Sequence, residues 1–261
     1  MRNSVPRPGK ALQMDLKACL LAFGGGGVMA ARARLLTALM VFAVLSGIGP
    51  AQTDPQRYES DIAAFEAADR RSFPLRGGVL FVGSSTIRLW TTLAEDFPGI
   101  PVINRGFGGA SIAEVLRYSD RIILPYRPQA IVLFIGGNDI ADGRTPESVF
   151  KTFKQLTDKI HLALPETHLF YISINPTIAR WNLQAQMDAT NRLLADYIRG
   201  KAWMSFMDSA AHMLGPDGRP RKELLADDAL HLSPEGYRML TSLIKPRLEQ
   251  AVKRAVVPKA R

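Results

Sequence analysis

Of its 261 residues the chain spends one on cysteine, Cys19, and four on histidine. A single cysteine excludes an internal disulfide. Because it lies near the N-terminus, it also leaves the body of the chain without a thiol nucleophile or a thiolate metal site. Neither an HExxH segment nor another paired-histidine spacing occurs, so no catalytic metal and no cofactor is expected. His161, His168 and His212 fall in no ligand pattern and read as surface or core residues. The mostly apolar run at 35–48 has fourteen residues, short of the roughly 20 that a membrane-spanning helix needs. Internal repeats and interdomain linkers are absent from 75–250.

A strong charge bias over the body of the chain is missing too, although the formal net charge is +9. Six of the 33 Lys and Arg and one of the 24 Asp and Glu lie in residues 1–51, so 27 basic and 23 acidic residues remain beyond them. Part of that small surplus is the tail Lys253, Arg254, Lys259 and Arg261. This pattern describes a solvated end, and a nucleic-acid partner is not expected.

Residues 1–28 are polar and rich in Pro and Gly, and Met29 offers an alternative start. From there Arg32 and Arg34 precede the apolar run, and Gly49, Pro50 and Ala51 form a small-residue exit. That is the layout of a secretory signal peptide cut after Ala51, with an uncleaved anchor as the alternative. The expected organisation is an N-terminal extension and signal peptide over 1–51 and one domain over 52–261, in the periplasm or secreted. Oligomeric state is not legible.

From residue 54 the pattern alternates. A helical lead-in at 54–73 carries Ile62, Phe65 and Ala68 on one side. Short apolar runs suited to buried strands follow at 79–82, 101–104, 130–135, 167–174 and 203–207. Helical patterns separate them: Ile87, Leu89 and Trp90; a helix capped by Ser111 with Ile112, Val115 and Leu116; one opened by Pro146; one over 182–199; and a last one from Pro234 to about 252. Five strands alternating with helices predict βαβ units. The expected fold is α/β, a three-layer α/β/α sandwich around a five-stranded parallel sheet in one domain, flavodoxin-like.

In such a sheet, ligands bind beyond the carboxyl ends of the strands. Three successive strand ends carry small or polar turns: Gly83-Ser84-Ser85-Thr86, Asn104-Arg105-Gly106-Phe107-Gly108-Gly109 and Gly136-Gly137-Asn138-Asp139. In the first, a serine either caps the following helix or stands ready as a nucleophile near backbone N–H groups that stabilise negative charge. In the second, glycines permit a tight turn. The segment 106–111 also approaches a dinucleotide fingerprint, but Ser111 occupies the place of its last glycine. Near the C-terminus stands Asp228-Ala229-Leu230-His231. A spacing of three can bring the carboxylate beside the imidazole, where it holds the tautomer and stabilises the protonated ring. Asp227 is the alternative partner. Asp139 reads as a structural hydrogen-bond acceptor.

Taken in order, GSST, NRGFGG, GGND and DALH resemble the four sequence blocks of the SGNH hydrolases, the GDSL esterase and lipase family, over Gly83 to His231. The resemblance implies Ser85 as nucleophile, His231 as general base and Asp228 as the residue that orients it. It also implies an oxyanion hole formed by the N–H of Ser85, Gly109 and Asn138. Ser84 departs from the aspartate usual in the first block. The implied activity is hydrolysis of carboxylic esters through an acyl-enzyme. No long insertion suggests a lipase lid, which favours short acyl groups on a small-molecule or polysaccharide-linked alcohol. Arg105, Arg180 and Trp181 are expected at the rim. The alternative, motivated by Ser84, is a non-catalytic protein that binds acylated glycan or cell-wall fragments in the same cleft.

Overall fold

The computed structural model describes residues 56–256; the signal-peptide expectation and the boundary at 51 lie outside them. Helix α1 (Glu59–Arg71) leads into β1 (Val79–Gly83). Then follow the single turns α2 (Ser85–Arg88) and α3 (Leu93–Asp96), β2 (Val102–Gly106), α4 (Ile112–Ile122) and β3 (Ala130–Phe134). The second half comprises α5 (Gly137–Ala141), α6 (Pro146–Ala163), β4 (His168–Ile172), α7 (Gln184–Arg199), β5 (Met204–Met207), α8 (Ala210–Met213) and α9 (Pro234–Val256).

All four strand pairings are parallel and the strand order is β2-β1-β3-β4-β5. β1 pairs with β2 on one side and β3 on the other, and every residue in it is buried, as in a strand covered on both faces. Its side chains alternate between two cores. Leu80 and Val82 join Ile62 of α1, Val115 of α4, Phe153 of α6 and Leu194 of α7. Val79 and Phe81 join Ile87, Trp90, Phe97 and the stripe Leu240, Ile244 and Leu248 of α9. The five-stranded, three-layer expectation therefore holds. The strand order reverses between β1 and β3, the crevice where doubly wound sheets bind ligands.

One expectation about these elements needs correction. Ile87, Leu89 and Trp90 do not belong to one continuous crossover helix: α2 ends at Arg88, and helix resumes only at Leu93 in α3. The Trp90 indole N–H donates to Asp96 (2.6 Å), as does the Thr92 hydroxyl (2.7 Å), which fixes the break. Between β5 and α9 lie α8 and a 3₁₀ turn at Lys222–Leu224. Among the described residues no helix is long and apolar enough to cross a membrane.

Candidate active site

Gly83 ends β1 so close to β3 that a Cβ there would stand 2.1 Å from the carbonyl oxygen of Phe134. Only glycine fits, and the chain turns directly into α2 with Ser85 at its first position. The first N–H groups of a helix lack intrahelical acceptors, so the amide of Ser85 is free to face a ligand. Its Oγ lies 2.9 Å from Nε2 of His231, 146 residues away in the chain. The neighbouring Ser84 makes no such contact with the ring.

His231 is presented by a short loop pinned at its base by the antiparallel bridge between Leu225 and Leu232 and by the Ala226 N–H donating to the His231 carbonyl (2.8 Å). Asp228 shapes the loop from within. Its Oδ1 accepts the N–H groups of Leu230 (3.0 Å) and His231 (2.9 Å), and Oδ2 lies 2.5 Å from His231 Nδ1. Side-chain and backbone bonds from one carboxylate thus fix both the fold of the loop and the angle of the ring. The hydrogen bond from His231, with the two backbone donors, holds the Asp228 carboxyl down at about 2. Asp228 remains half exposed and His231 about a quarter exposed, so the pair contributes more to orientation than to stability.

The turns after β2 and β3 supply donors. Gly109 has φ +80°, a backbone conformation that favours glycine, and a Cβ there would meet the Tyr58 hydroxyl at a tight 3.2 Å. Asn138 sits in α5; its amide donates one hydrogen to the Ala110 carbonyl (3.0 Å), and the second of its two amide hydrogens remains for a ligand. Ser85, Gly109, Asn138 and His231 line one open groove of about 440 Å³. Asp139, next in sequence, turns inward and accepts the Ile112 N–H at 3.1 Å, as expected of a structural acceptor. Burial pushes its carboxyl up to about 7, and the Ile112 N–H opposes that rise in part. Adjacent residues of α5 therefore hold the chain just after Gly109, at Ala110 and Ile112.

Arg180 and Arg105, both expected at the rim, part company. Arg180 lines the groove and donates from Nη2 to Asn138 Oδ1 (3.0 Å). That bond decides which way the Asn138 amide faces, a role the sequence did not suggest. Arg105 is buried instead. It pairs with Asp69 at 2.5 Å, donates to the Tyr126 hydroxyl at 2.7 Å and lies over the rings of Phe65 and Tyr126. Trp181 is stacked by Arg219, 5.1 Å from its ring centre. Among the described residues no group of three or more His, Cys, Asp or Glu is placed to hold a metal ion.

The arrangement can transfer a proton from a hydroxyl to an imidazole next to donors aimed at one point, the requirement for acyl transfer. Among solved structures the fold is similar to a candidate platelet activating factor from Streptococcus pneumonia. That match has 20% identity and a TM-score of 0.67, and covers 85% of this chain and 100% of the other. A GDSL-like lipase from Bacteroides thetaiotaomicron matches at 19% identity and a TM-score of 0.57, over 78% of this chain and 98% of the other. A carbohydrate esterase family 3 protein from Talaromyces cellulolyticus matches at 17% identity and 0.55, over 67% and 98%. No curated protein matches the chain. The sequence profile of the GDSL-like lipase/acylhydrolase family spans residues 78–239, from the start of β1 into α9, and with that span covering every turn of the site the chain belongs to this family of ester-hydrolysing enzymes.

Proposed function

We propose that the protein is a secreted or periplasmic serine esterase that cleaves short-acyl carboxylic esters through an acyl-enzyme on Ser85. The observation that carries this reading is the continuous path from Asp228 through His231 to Ser85, with steps of 2.5 and 2.9 Å. Ser85 Oγ attacks the ester carbon while His231 Nε2 takes its proton, and Asp228 stabilises the imidazolium. The carbonyl oxygen becomes an oxyanion that accepts from the N–H groups of Ser85 and Gly109 and from the amide of Asn138. Collapse of this intermediate expels the alcohol, which takes the proton from His231. A water then gives its proton to the same ring and attacks the acyl-serine; as that intermediate collapses, the bond to Ser85 Oγ breaks, the serine takes the proton back from His231, and the acid is released.

The short-acyl preference is supported by a pocket of about 60 Å³ that opens beside Ser85, Asn138 and His231. A group of a few heavy atoms suits a space of this size beside the nucleophile. Export is supported by the signal-peptide layout of 29–51. Three measurements test the reading. Hydrolysis of p-nitrophenyl esters should fall steeply from acetate to octanoate and vanish in Ser85→Ala. A fluorophosphonate should label Ser85 only while His231 is present; a folded protein that neither hydrolyses nor labels would leave an inert binding cleft as the answer. Intact mass of the exported protein should begin at Gln52.

A further inference from the structure

The wall of the small pocket is not purely hydrocarbon. Ile174 and Met187 line it, but so do Asn175 and Thr177 from the segment that follows β4. Both polar residues are deeply buried, 6% and 7% exposed. The Asn175 carbonyl oxygen is occupied, accepting the Ser209 hydroxyl at 2.5 Å, and Ser209 is itself held within 3.2 Å of the Ser173 hydroxyl. That network fixes the amide, leaving its NH₂ group as the free end. Neither Asn175 Nδ2 nor Thr177 Oγ1 has a hydrogen-bond partner among the described residues.

A buried polar group without a partner is costly, and two in a cavity that also touches Ser85 and His231 point to a ligand that satisfies them. Arg180, another lining residue, adds a guanidinium to the same wall. Its lowered pKa follows from burial, and it forms no ion pair with a carboxylate among the described residues. An amide NH₂ and a guanidinium can only donate, and a threonine hydroxyl can donate or accept. An oxygen acceptor satisfies this set; a methyl group does not.

We propose that this pocket is a subsite for a short acyl group that carries a hydroxyl or keto oxygen on its second or third carbon, read by Asn175 Nδ2 and Thr177 Oγ1. The assignment rests on the esterase reading above, which makes the pocket the acyl side of the reaction. A site built to hydrogen-bond a substrate oxygen rejects the analogue without it far more strongly than an apolar pocket rejects a missing methylene. Selectivity should therefore follow oxygen content more than chain length.

The test compares phenyl esters in near-isosteric pairs: lactate against isobutyrate for the second carbon, 3-hydroxybutyrate against isovalerate for the third. Each pair's kcat/KM ratio is measured in the wild type, in Thr177→Val and in Thr177→Ser, with thermal unfolding to verify that each variant is folded. Intrinsic reactivity differs within a pair but cancels between proteins. The preference for the oxygenated ester in at least one pair should drop about tenfold or more in Thr177→Val and persist in Thr177→Ser. A ratio equal in all three proteins overturns the proposal. If Thr177→Val does not fold, Thr177→Ala takes its place with the same expectation. If no ester turns over, the esterase reading fails by itself, and the subsite is then judged on Ser85→Ala titrated with the free acids. Lactate or 3-hydroxybutyrate must raise its Tm where isobutyrate and isovalerate do not, and equal shifts overturn the subsite.

Discussion

Asp228→Asn changes little in shape and much in hydrogen bonding. In the wild type, Oδ1 accepts two backbone N–H groups while Oδ2 faces His231 Nδ1. An asparagine that keeps its oxygen toward the backbone must aim its NH₂ at the ring. Nδ1 then becomes an acceptor, Nε2 carries the hydrogen, and the ring can no longer take the proton of Ser85. Restoring the productive tautomer requires the asparagine to flip and give up both backbone bonds, at about 1 kcal/mol each. The charge that stabilises the imidazolium is lost as well. A buried charged hydrogen bond is worth about 1.5–3 kcal/mol, but with Asp228 half exposed solvent screening reduces that to about 1. The sum, about 3 kcal/mol, corresponds to a loss of about 100- to 200-fold in kcat/KM. That is smaller than the roughly 10⁴-fold typical of the equivalent change in a fully buried triad. The assay is p-nitrophenyl acetate hydrolysis at pH 7, with Tm checked to show that the loop persists. A loss below tenfold would refute the assignment of Asp228 as the group that sets the tautomer and would move attention to Asp227.

Asn138→Ala should lower kcat by about 100- to 1000-fold with a modest change in KM, the usual cost of one oxyanion donor; equal loss in KM and kcat would argue for a ground-state contact. Arg180→Met frees the Asn138 carbonyl from its charged partner and should lower kcat about tenfold, with Arg180→Lys recovering only part because a single ammonium does not reproduce the fork. Asp139→Asn tests the buried acid: its folded pKa of about 7 exceeds the ordinary value of 3.8, so the folded state keeps a proton that the unfolded chain releases between those values. Stability from this group falls as pH rises through that interval, and the Tm advantage of Asp139→Asn should be larger at pH 8 than at pH 5 by differential scanning calorimetry. Gly83→Ala, with its Cβ driven into the Phe134 carbonyl, should prevent accumulation of folded protein.

Local patterns carried much of the architecture into the sequence. The five apolar runs became five parallel strands, and the turns at 83–86, 104–109 and 136–139 became neighbours because parallel strands end on one edge. The spacing of 228 and 231 foretold a carboxylate beside its own imidazole. What stayed hidden depends on partners far away in the chain. Arg105 looks like a rim residue until Asp69 and Tyr126, supplied by other elements, draw it into the core. The break after Arg88 follows from the indole of Trp90 reaching Asp96, a choice that local periodicity cannot express. Asn175 and Thr177 resemble ordinary loop residues in a string of letters, and only the burial of Asn175 Nδ2 and Thr177 Oγ1 without hydrogen-bond partners sets them apart.

One backbone bond joins two of these regions: the Ala179 N–H donates to the carbonyl of Ala229 at 3.0 Å, and Ala229 itself stands at φ 57°. The segment bearing Asn175, Thr177 and Arg180 is thereby tethered to the loop bearing Asp228 and His231. Engineers who lengthen or graft the first segment to admit other acids would drag the proton acceptor with it. Side-chain exchange within the existing backbone is the route by which selectivity can be retuned while turnover survives.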